Sequence, residues 1–245
     1  MVPSREVNRG VILAAGDGNR LGHLTLACPK VLLPMNDKRP IISYPIKALV
    51  AAGINEIAIV VGYLGDQVVD MLGNGSSFGA RLQYIFNPDY LGGNAISAYK
   101  ARDWTQGEPI VLCMGDHLIE EKLVKHLLER QTLNETLCID YTPAQHHQLA
   151  EATKVTVNST GYITGISKDL ANWDALDTGV FLLTENFFQA LEELVHHRGI
   201  NIEISDAVRF LIRQGHRFDS CNVSGCFWID VDTEEDLNIA SVARI

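Results

Sequence analysis

Several features that define common protein classes are missing from this sequence. No apolar run reaches the roughly 18 residues of a membrane span, and the polar residues 1–10 lack the apolar core of a signal peptide. Acidic residues outnumber basic ones by 30 to 20, so the formal net charge is −10 and a nucleic-acid partner is not expected. These absences predict a cytoplasmic protein with no membrane segment.

Cysteine is scarce, and its spacing argues against two structural uses. The chain has five cysteines, and no two of them form a C-x-x-C pair. A disulfide framework or a zinc site would need an even number or close pairs, so reduced thiols are expected. Cys221 and Cys226, with His216 upstream, are conceivable metal ligands, but several of these positions lie in apolar runs, which argues against such a site.

The sequence also lacks a Pro- or Ser-rich linker, a repeat and a low-complexity tract. With 245 residues, of which 47% are hydrophobic, the chain can bury a sizeable core. Because nothing marks a boundary, we predict a single domain over residues 1–245.

Strand-like and helix-like segments alternate along the first half of the chain and continue less regularly in the second. Apolar runs predict strands at 11–15, 57–61, 82–86, 110–114, 136–140, 153–157, 162–166 and 179–183. Helical patterns occupy 43–53, 94–103, 120–131, 185–196 and 205–214, and a capping box at 233–236 opens a last helix. This alternation predicts an α/β fold with a Rossmann-like, largely parallel but mixed sheet flanked by helices. Such sheets bind ligands at the carboxyl ends of their strands.

A glycine-rich turn after the first predicted strand carries the strongest chemical signal. Residues 11–22 read VILAAGDGNRLG, and CPKVLLPM follows at 28–35. Glycine lets backbone N–H groups approach phosphate oxygens, while Arg20 and Lys30 supply the positive charge that a polyphosphate needs. The dinucleotide fingerprint is excluded because Leu21 stands where its third glycine would be, and no Gly-Lys-Ser/Thr of an ATPase loop occurs.

Three aspartates are candidates for a metal site. Asp116 ends a predicted strand in the run MGDH, and Asp230 and Asp232 lie in the run FWIDVDT at 227–233. If the second run is extended, Asp230 and Asp232 project on the same face, and carboxylates beside a triphosphate suit Mg²⁺. Asp232 could instead serve only the N-terminus of the last helix, and Asp230 could be a turn residue. Both stay candidates, with a slight preference for Asp230.

Taken in order, these segments resemble the nucleotidyltransferase family, which joins a nucleoside monophosphate unit to a phosphorylated small molecule. The runs EATKV at 151–155, KDL at 168–170, DTG at 177–179 and WIDVDTEED at 228–236 are similar to cytidylyltransferases that make CDP-inositol from CTP and inositol 1-phosphate. Phosphocholine, aminoalkylphosphonate and sugar-1-phosphate enzymes share this scaffold and remain alternatives, as does a non-catalytic nucleotide sensor. The resemblance implies a fold of the nucleotide-diphospho-sugar transferase type, with a nucleotide-binding half at 1–135 and an acceptor-binding half at 136–245.

The resemblance also implies a role for each candidate residue. Arg20 and Lys30 would be catalytic, and Mg²⁺ would bind Asp116 with Asp230 or Asp232. The nucleotide would contact Leu13, Ala14, Ala15, Gly16, Gly18, Gly93, Asn94 and Asp116, and the acceptor would contact Glu151, Lys168 and Asp177. Ordinary helix caps are the alternative for Gly93 and Asn94, and an isolated lysine is usually solvated. CTP or another NTP and a phosphorylated small-molecule acceptor are the expected partners, and the oligomeric state is left open.

Overall fold

The computed structural model of the protein describes residues 7–130, 134–143 and 149–243. The strands are β1 (Arg9–Ala14), β2 (Glu56–Val61), β3 (Arg81–Phe86), β4 (Ile110–Met114), β5 (His117–Ile119), β6 (Thr136–Asp140), β7 (Lys154–Val157), β8 (Ile163–Ser167), β9 (Ala175–Leu183), β10 (Asp219–Asn222) and β11 (Trp228–Asp230). The helices are α1 (Ser43–Ala51), α2 (Gly65–Leu72), α3 (Asn94–Lys100), α4 (Arg102–Thr105), α5 (Glu121–Glu129), α6 (Glu185–Arg198), α7 (Ile204–Arg213) and α8 (Glu234–Val242). Short 3₁₀ segments lie at Asn19–Thr25, Lys30–Leu32 and Ser76–Phe78.

A nine-stranded mixed sheet organises these elements. Seven of its strands follow the order β10-β6-β9-β4-β1-β2-β3, while β7 pairs with β9 and β8 pairs with β7. β1 pairs in parallel with both β2 and β4, whereas β9 runs antiparallel to β4 and β6. A separate two-stranded antiparallel sheet joins β5 to β11. The predicted mixed sheet flanked by helices is confirmed, and it takes strands from both predicted halves of the chain.

The sheet is buried on both faces. Successive side chains of a strand point to opposite sides, so each strand contributes residues to both apolar layers. On β1, Ile12 and Ala14 face one apolar layer, which α1, α2 and α5 cover, while Val11 and Leu13 face the other, covered by α3, α6 and α7. Burial on both faces explains why these strands read as continuous apolar runs. Within the described ranges, no helix is both long enough and apolar enough to cross a bilayer.

A third, smaller apolar cluster includes residues of the short β5–β11 sheet. It contains Leu21 of the glycine-rich turn, Leu118 of β5 and Ile229 of β11, each no more than 1% exposed. Packing of these three side chains therefore brings the turn that carries Arg20 against the strand that ends in Asp230.

Several predicted boundaries are wrong, for identifiable reasons. The strand predicted at 179–183 begins at Ala175, because the polar Asp177 and Thr178 interrupt the apolar run without interrupting β9. The helix predicted over 94–103 is divided between α3 and α4 at Ala101. β5 and β10 were not predicted at all, since short strands leave little periodicity to detect. Residue 131, the predicted end of the helix that follows β5, lies outside the described residues, as do residues 1–6.

The start of α3 is held against the segment that leads into α7. The backbone N–H of Gly93 donates to the carbonyl of Ile200 at 3.0 Å, and that of Ala95 donates to the carbonyl of Ile202 at 3.2 Å. A Cβ atom at Gly93 would lie 2.0 Å from the carbonyl oxygen of Ile202. The two backbones can approach this closely only because residue 93 has no side chain.

We therefore expect Gly93→Ala to destabilise the fold by at least about 1–3 kcal/mol, since the added methyl group must displace a backbone segment. Gly16→Ala is the matched control, because a Cβ atom there would meet nothing within 4 Å. Urea unfolding of the two variants measures the difference. Equal stabilities would contradict the close approach of residues 93 and 202.

Candidate functional site

A cleft of about 640 Å³ opens beyond the carboxyl ends of β1 and β4. This is where open α/β sheets commonly bind their ligands. Twelve of the predicted site residues line it: Leu13, Ala15, Gly16, Arg20, Gly93, Asn94, Asp116, Glu151, Lys168, Asp177, Asp230 and Asp232. The folded chain thus brings together residues that span more than 200 positions of the sequence.

Three predicted site residues do not line the cleft. Ala14 points into the core beneath β1 and is only 2% exposed. Gly18 adopts φ +65°, and a Cβ atom there would lie 2.8 Å from the Cβ of Lys30. Lys30 itself is 8% exposed and reaches the site from below through its ammonium group. Ala14 and Gly18 thus lie behind the residues that line the cleft, and their predicted contact with the nucleotide stays a prediction.

Lys30 joins two carboxylates that are distant in the sequence. Its Nζ lies 2.5 Å from Asp116 Oδ2 and 2.8 Å from Asp232 Oδ1, and Nη2 of Arg20 lies 2.5 Å from Asp232 Oδ2. Burial disfavours the charged form of Lys30, but Asp116, Asp230 and Asp232 outweigh it and raise the pKa of the ammonium above its usual range. Lys30 therefore stays protonated beside the glycine-rich turn, where its charge is paired with the two carboxylates.

The two C-terminal aspartates have different surroundings. Burial alone would raise the pKa of Asp232, but the positive charge of Lys30 acts against burial, and the pKa of this carboxyl is lowered. Asp230 lies opposite His117 in the β5–β11 pairing, and burial raises its pKa to about 7. Asp232 thus pairs directly with the two cations, whereas Asp230 faces His117, and the two carboxyl groups also hydrogen-bond to each other.

His117 is a site residue that the sequence reasoning missed. Its Nδ1 lies 3.0 Å from Asp116 Oδ1 and 3.7 Å from Asp230 Oδ1. Burial lowers the pKa of the imidazole, but Asp230 and the hydrogen bond with Asp116 outweigh burial and raise it to about 9. The available signal was its place directly after Asp116 in the run MGDH.

Asp116, His117 and Asp230 form a cluster with the chemistry of a cation site. One donor atom from each lies within 4.8 Å of the others, and no other such group occurs among the residues that the structure describes. Cys221, Cys226 and His216 form no such group in the described part of the chain. Cys226 Sγ instead lies 3.7 Å from His126 Nδ1, and all five cysteines are free.

On the side of the cleft that is predicted to bind the nucleotide, the start of α3 and the start of α7 cap each other. The backbone N–H of Asn94 donates to Glu203 Oε2 at 3.2 Å, and the backbone N–H of Ile204 donates to Asn94 Oδ1 at 2.8 Å. Asn94 therefore acts as a helix cap, the alternative to a base contact. Asn94 and Gly93 nevertheless form part of the cleft wall.

The opposite wall carries the predicted acceptor residues and one missed arginine. Glu151 and Lys168 are exposed, and Asp177 is partly buried. Arg209 of α7 also lines the cleft, where Nη1 donates to the carbonyl of Ile166 at 2.6 Å and Nη2 pairs with Asp206 Oδ1 at 2.7 Å. Since Lys168 follows Ile166 closely, two cations share this wall. In the sequence, Arg209 is indistinguishable from a surface charge of an amphipathic helix.

Comparison with known proteins identifies relatives over nearly the whole chain. Residues 9–243 match a family model described as "Nucleotidyl transferase". The bifunctional IPC transferase and DIPP synthase of Aquifex aeolicus is 33% identical over 234 residues, which cover 96% of this chain and 51% of that protein. The low-salt glycan biosynthesis nucleotidyltransferase Agl11 of Haloferax volcanii is 28% identical over 232 residues, which cover 94% of this chain and 64% of that protein. This chain thus spans about half to two thirds of the length of these relatives.

The fold is also found among solved structures. The inositol-1-phosphate CTP transferase from T. maritima superposes with a TM-score of 0.82 at 24% identity, and the match covers 94% of this chain and 91% of that one. At this level of identity the likeness establishes a shared fold.

The environment of Asp177 leads to a prediction about stability. Burial raises the pKa of this carboxyl from 3.8 to about 6, against the opposing effects of the Gly179 N–H and His117. The folded state therefore holds the proton more tightly than the unfolded state, so this group lowers the free energy of unfolding as the pH rises through that interval. We expect Asp177→Asn to be more stable than the parent at about pH 8, by on the order of 1–3 kcal/mol, with the gain shrinking towards about pH 4.

Urea unfolding of the parent and the variant across this pH range is the measurement. Asp169→Asn, which changes an exposed carboxyl of the same cleft, is the control and should show no such trend. A stability difference that is constant with pH would contradict the assignment to Asp177.

Proposed function

Since the chain belongs to the nucleotidyl transferase family, we propose that it transfers CMP from CTP to a phosphorylated small alcohol such as inositol 1-phosphate and releases pyrophosphate. The observation that carries the proposal is the cluster in which Lys30 joins Asp116 to Asp232 beside Arg20. The T. maritima structure is named as an inositol-1-phosphate CTP transferase, which supports the choice of CTP and inositol 1-phosphate as substrates. The name of the Aquifex relative, a bifunctional IPC transferase and DIPP synthase, is compatible with this choice.

The reaction needs alignment and charge neutralisation more than proton transfer. A phosphate monoester is largely dianionic at neutral pH, because its second pKa is about 6, so no general base has to activate it. An acceptor oxygen forms a bond to the α-phosphorus, and the bond from that phosphorus to the bridging oxygen of pyrophosphate breaks. Pyrophosphate leaves with the electron pair. The main obstacle is repulsion between two anions, which fixed positive charges reduce.

Arg20 and Lys30 are placed to reduce that repulsion on the nucleotide side. Both now neutralise Asp232, and Lys30 also neutralises Asp116, so the phosphates of CTP compete with these carboxylates for the same cations. Such paired charges hold the two cationic groups in position before the substrate arrives. We assign to them the α-phosphate and the departing pyrophosphate.

Asp116 and Asp230 are the residues that we assign to Mg²⁺. Among the described residues their carboxylates belong to the donor cluster with His117, and Asp116 keeps Oδ1 on that side, whereas both carboxylate oxygens of Asp232 are engaged by Lys30 and Arg20. Mg²⁺ takes one or two carboxylates together with phosphate oxygens. When bound, it would supply Lewis-acid stabilisation of the charge on the phosphates.

The wall with Lys168 and Arg209 suits the phosphorylated acceptor. The two cations would hold its phosphate, and the carboxylates of Glu151 and Asp177 would accept hydrogen bonds from its hydroxyl groups. The same carboxylates could bind a cationic head group, so phosphocholine and aminoalkylphosphonates are included among the acceptors to be tested.

The proposal predicts pyrophosphate release from CTP with inositol 1-phosphate and Mg²⁺. We expect CTP to exceed UTP, GTP and ATP, and Lys30→Ala to lose roughly 10²–10³ in turnover, as when one transition-state donor is removed. A coupled pyrophosphate assay over the four nucleotides and a panel of acceptors measures both. Equal turnover with UTP and a sugar 1-phosphate would indicate a sugar-nucleotide enzyme. No release with any pair would indicate a nucleotide-binding protein without catalysis.

A second prediction separates the two C-terminal aspartates. We expect Asp230→Asn to raise the Mg²⁺ concentration for half-maximal activity by at least about 10-fold, since a metal ligand is lost. Asp232→Asn should instead change the KM for CTP, because Arg20 and Lys30 lose their shared partner, with little effect on the Mg²⁺ requirement. Mg²⁺ titrations at saturating CTP test both variants. The reverse pattern would assign the metal to Asp232.

A further inference from the structure

The imidazole of His117 is held in one orientation by the fold. The residue is only 8% exposed, and its ring stacks on Trp228 with 6.5 Å between centroids and 15° between planes. Its Cδ2–Nε2 edge abuts Gly179, where a Cβ atom would lie 2.8 Å from both ring atoms. Gly179 adopts φ +74° and leaves the space that the ring occupies. These contacts direct Nδ1 towards Asp116 and Asp230.

The distances around Nδ1 match the spacing of ligands around one cation. Nδ1 is 3.0 Å from Asp116 Oδ1 and 3.7 Å from Asp230 Oδ1, and one donor atom from each of the three residues lies within 4.8 Å of the other two. Ligand bonds of about 2.0–2.2 Å place neighbouring ligands about 3 Å apart and opposite ligands about 4.2 Å apart. The nitrogen and the two carboxylate oxygens are therefore spaced to share an ion.

The two oxygens of Asp116 face different partners. Oδ2 is engaged by the ammonium of Lys30 at 2.5 Å, while Oδ1 faces His117. This arrangement separates the cationic side of the cleft from the side on which a nitrogen and two oxygens converge. An ion can therefore reach Asp116 from the His117 side without displacing Lys30.

We propose that Nδ1 of His117 is a third ligand of the cation that binds Asp116 and Asp230, and that it gives the cleft a preference for Mn²⁺ or Co²⁺ over Mg²⁺. The inference rests on the proposed function, in which those two aspartates bind a divalent cation. Imidazole nitrogen adds affinity for first-row transition metals, whereas Mg²⁺ favours oxygen ligands and retains its waters. On binding, the ion replaces the proton that Nδ1 shares with Asp116, and that proton passes to solvent.

Electron paramagnetic resonance of Mn²⁺ tests the proposal without an activity assay. Pulsed spectra of the unaltered protein with Mn²⁺ alone should show coupling to a directly bound ¹⁴N nucleus. Mn²⁺ titration with Mg²⁺ competition should show His117→Gln losing at least about 10-fold in Mn²⁺ affinity and little in Mg²⁺ affinity. His126→Gln is the matched control, because that histidine contacts Cys226 outside the cluster and should leave both affinities unchanged.

The variants separate failure of this inference from failure of the proposed function. If Asp116→Asn abolishes Mn²⁺ binding but the unaltered protein shows no bound nitrogen, His117 is not a ligand, although the aspartate site stands. If Asp116→Asn binds Mn²⁺ as the parent does, the cation site of the cleft is itself wrong, and the proposed function loses its metal. The pulsed measurement needs no variant, so it decides the role of His117 even if His117→Gln does not fold.

Discussion

The buried ammonium of Lys30 is the constraint on which the rest of the site depends. A charge that is 8% exposed costs several kcal/mol unless it is paired, and Lys30 is paired with Asp116 and Asp232. These carboxylates follow β4 and β11, so one side chain ties together segments from near the start, the middle and the end of the chain. Removing either carboxylate would leave a buried charge only half compensated, which is why the cluster is expected to resist rearrangement.

The scaffold around this cluster restricts the same residues from a second direction. Asp232 precedes α8, and its backbone N–H donates to Asp236 Oδ2 at 3.1 Å, next to the capping box that Asp236 forms with Thr233. Leu21 and Ile229 pack together beneath the cleft and keep the glycine-rich turn against β11. Backbone capping and apolar packing therefore position the charged groups, so that the ion pairs are not the only contacts that hold these segments together.

The cleft separates its positive charges into two groups. Arg20 and Lys30 lie beside the glycine-rich turn, whereas Lys168 and Arg209 lie on the wall formed with β8 and α7. In the proposed reaction two phosphate groups must approach each other against their mutual repulsion. A cation pair for each phosphate, with the donor cluster that contains Asp116 in the same cleft, is an arrangement that meets this electrostatic requirement.

Local patterns in the sequence determined the elements and residues that depend on their own neighbourhood. The strands at 110–114 and 136–140, the glycine-rich turn with Arg20 and the capping box of α8 all follow from adjacent residues, and each was predictable. Only the tertiary structure placed His117 against Asp230, put Arg209 on the cleft wall and gave Asp230 and Asp232 different partners. These features arise from pairing between segments more than 100 residues apart or from packing of a helix on a distant strand. Sequence periodicity records which side of an element is buried, but it carries no information about which distant element buries it.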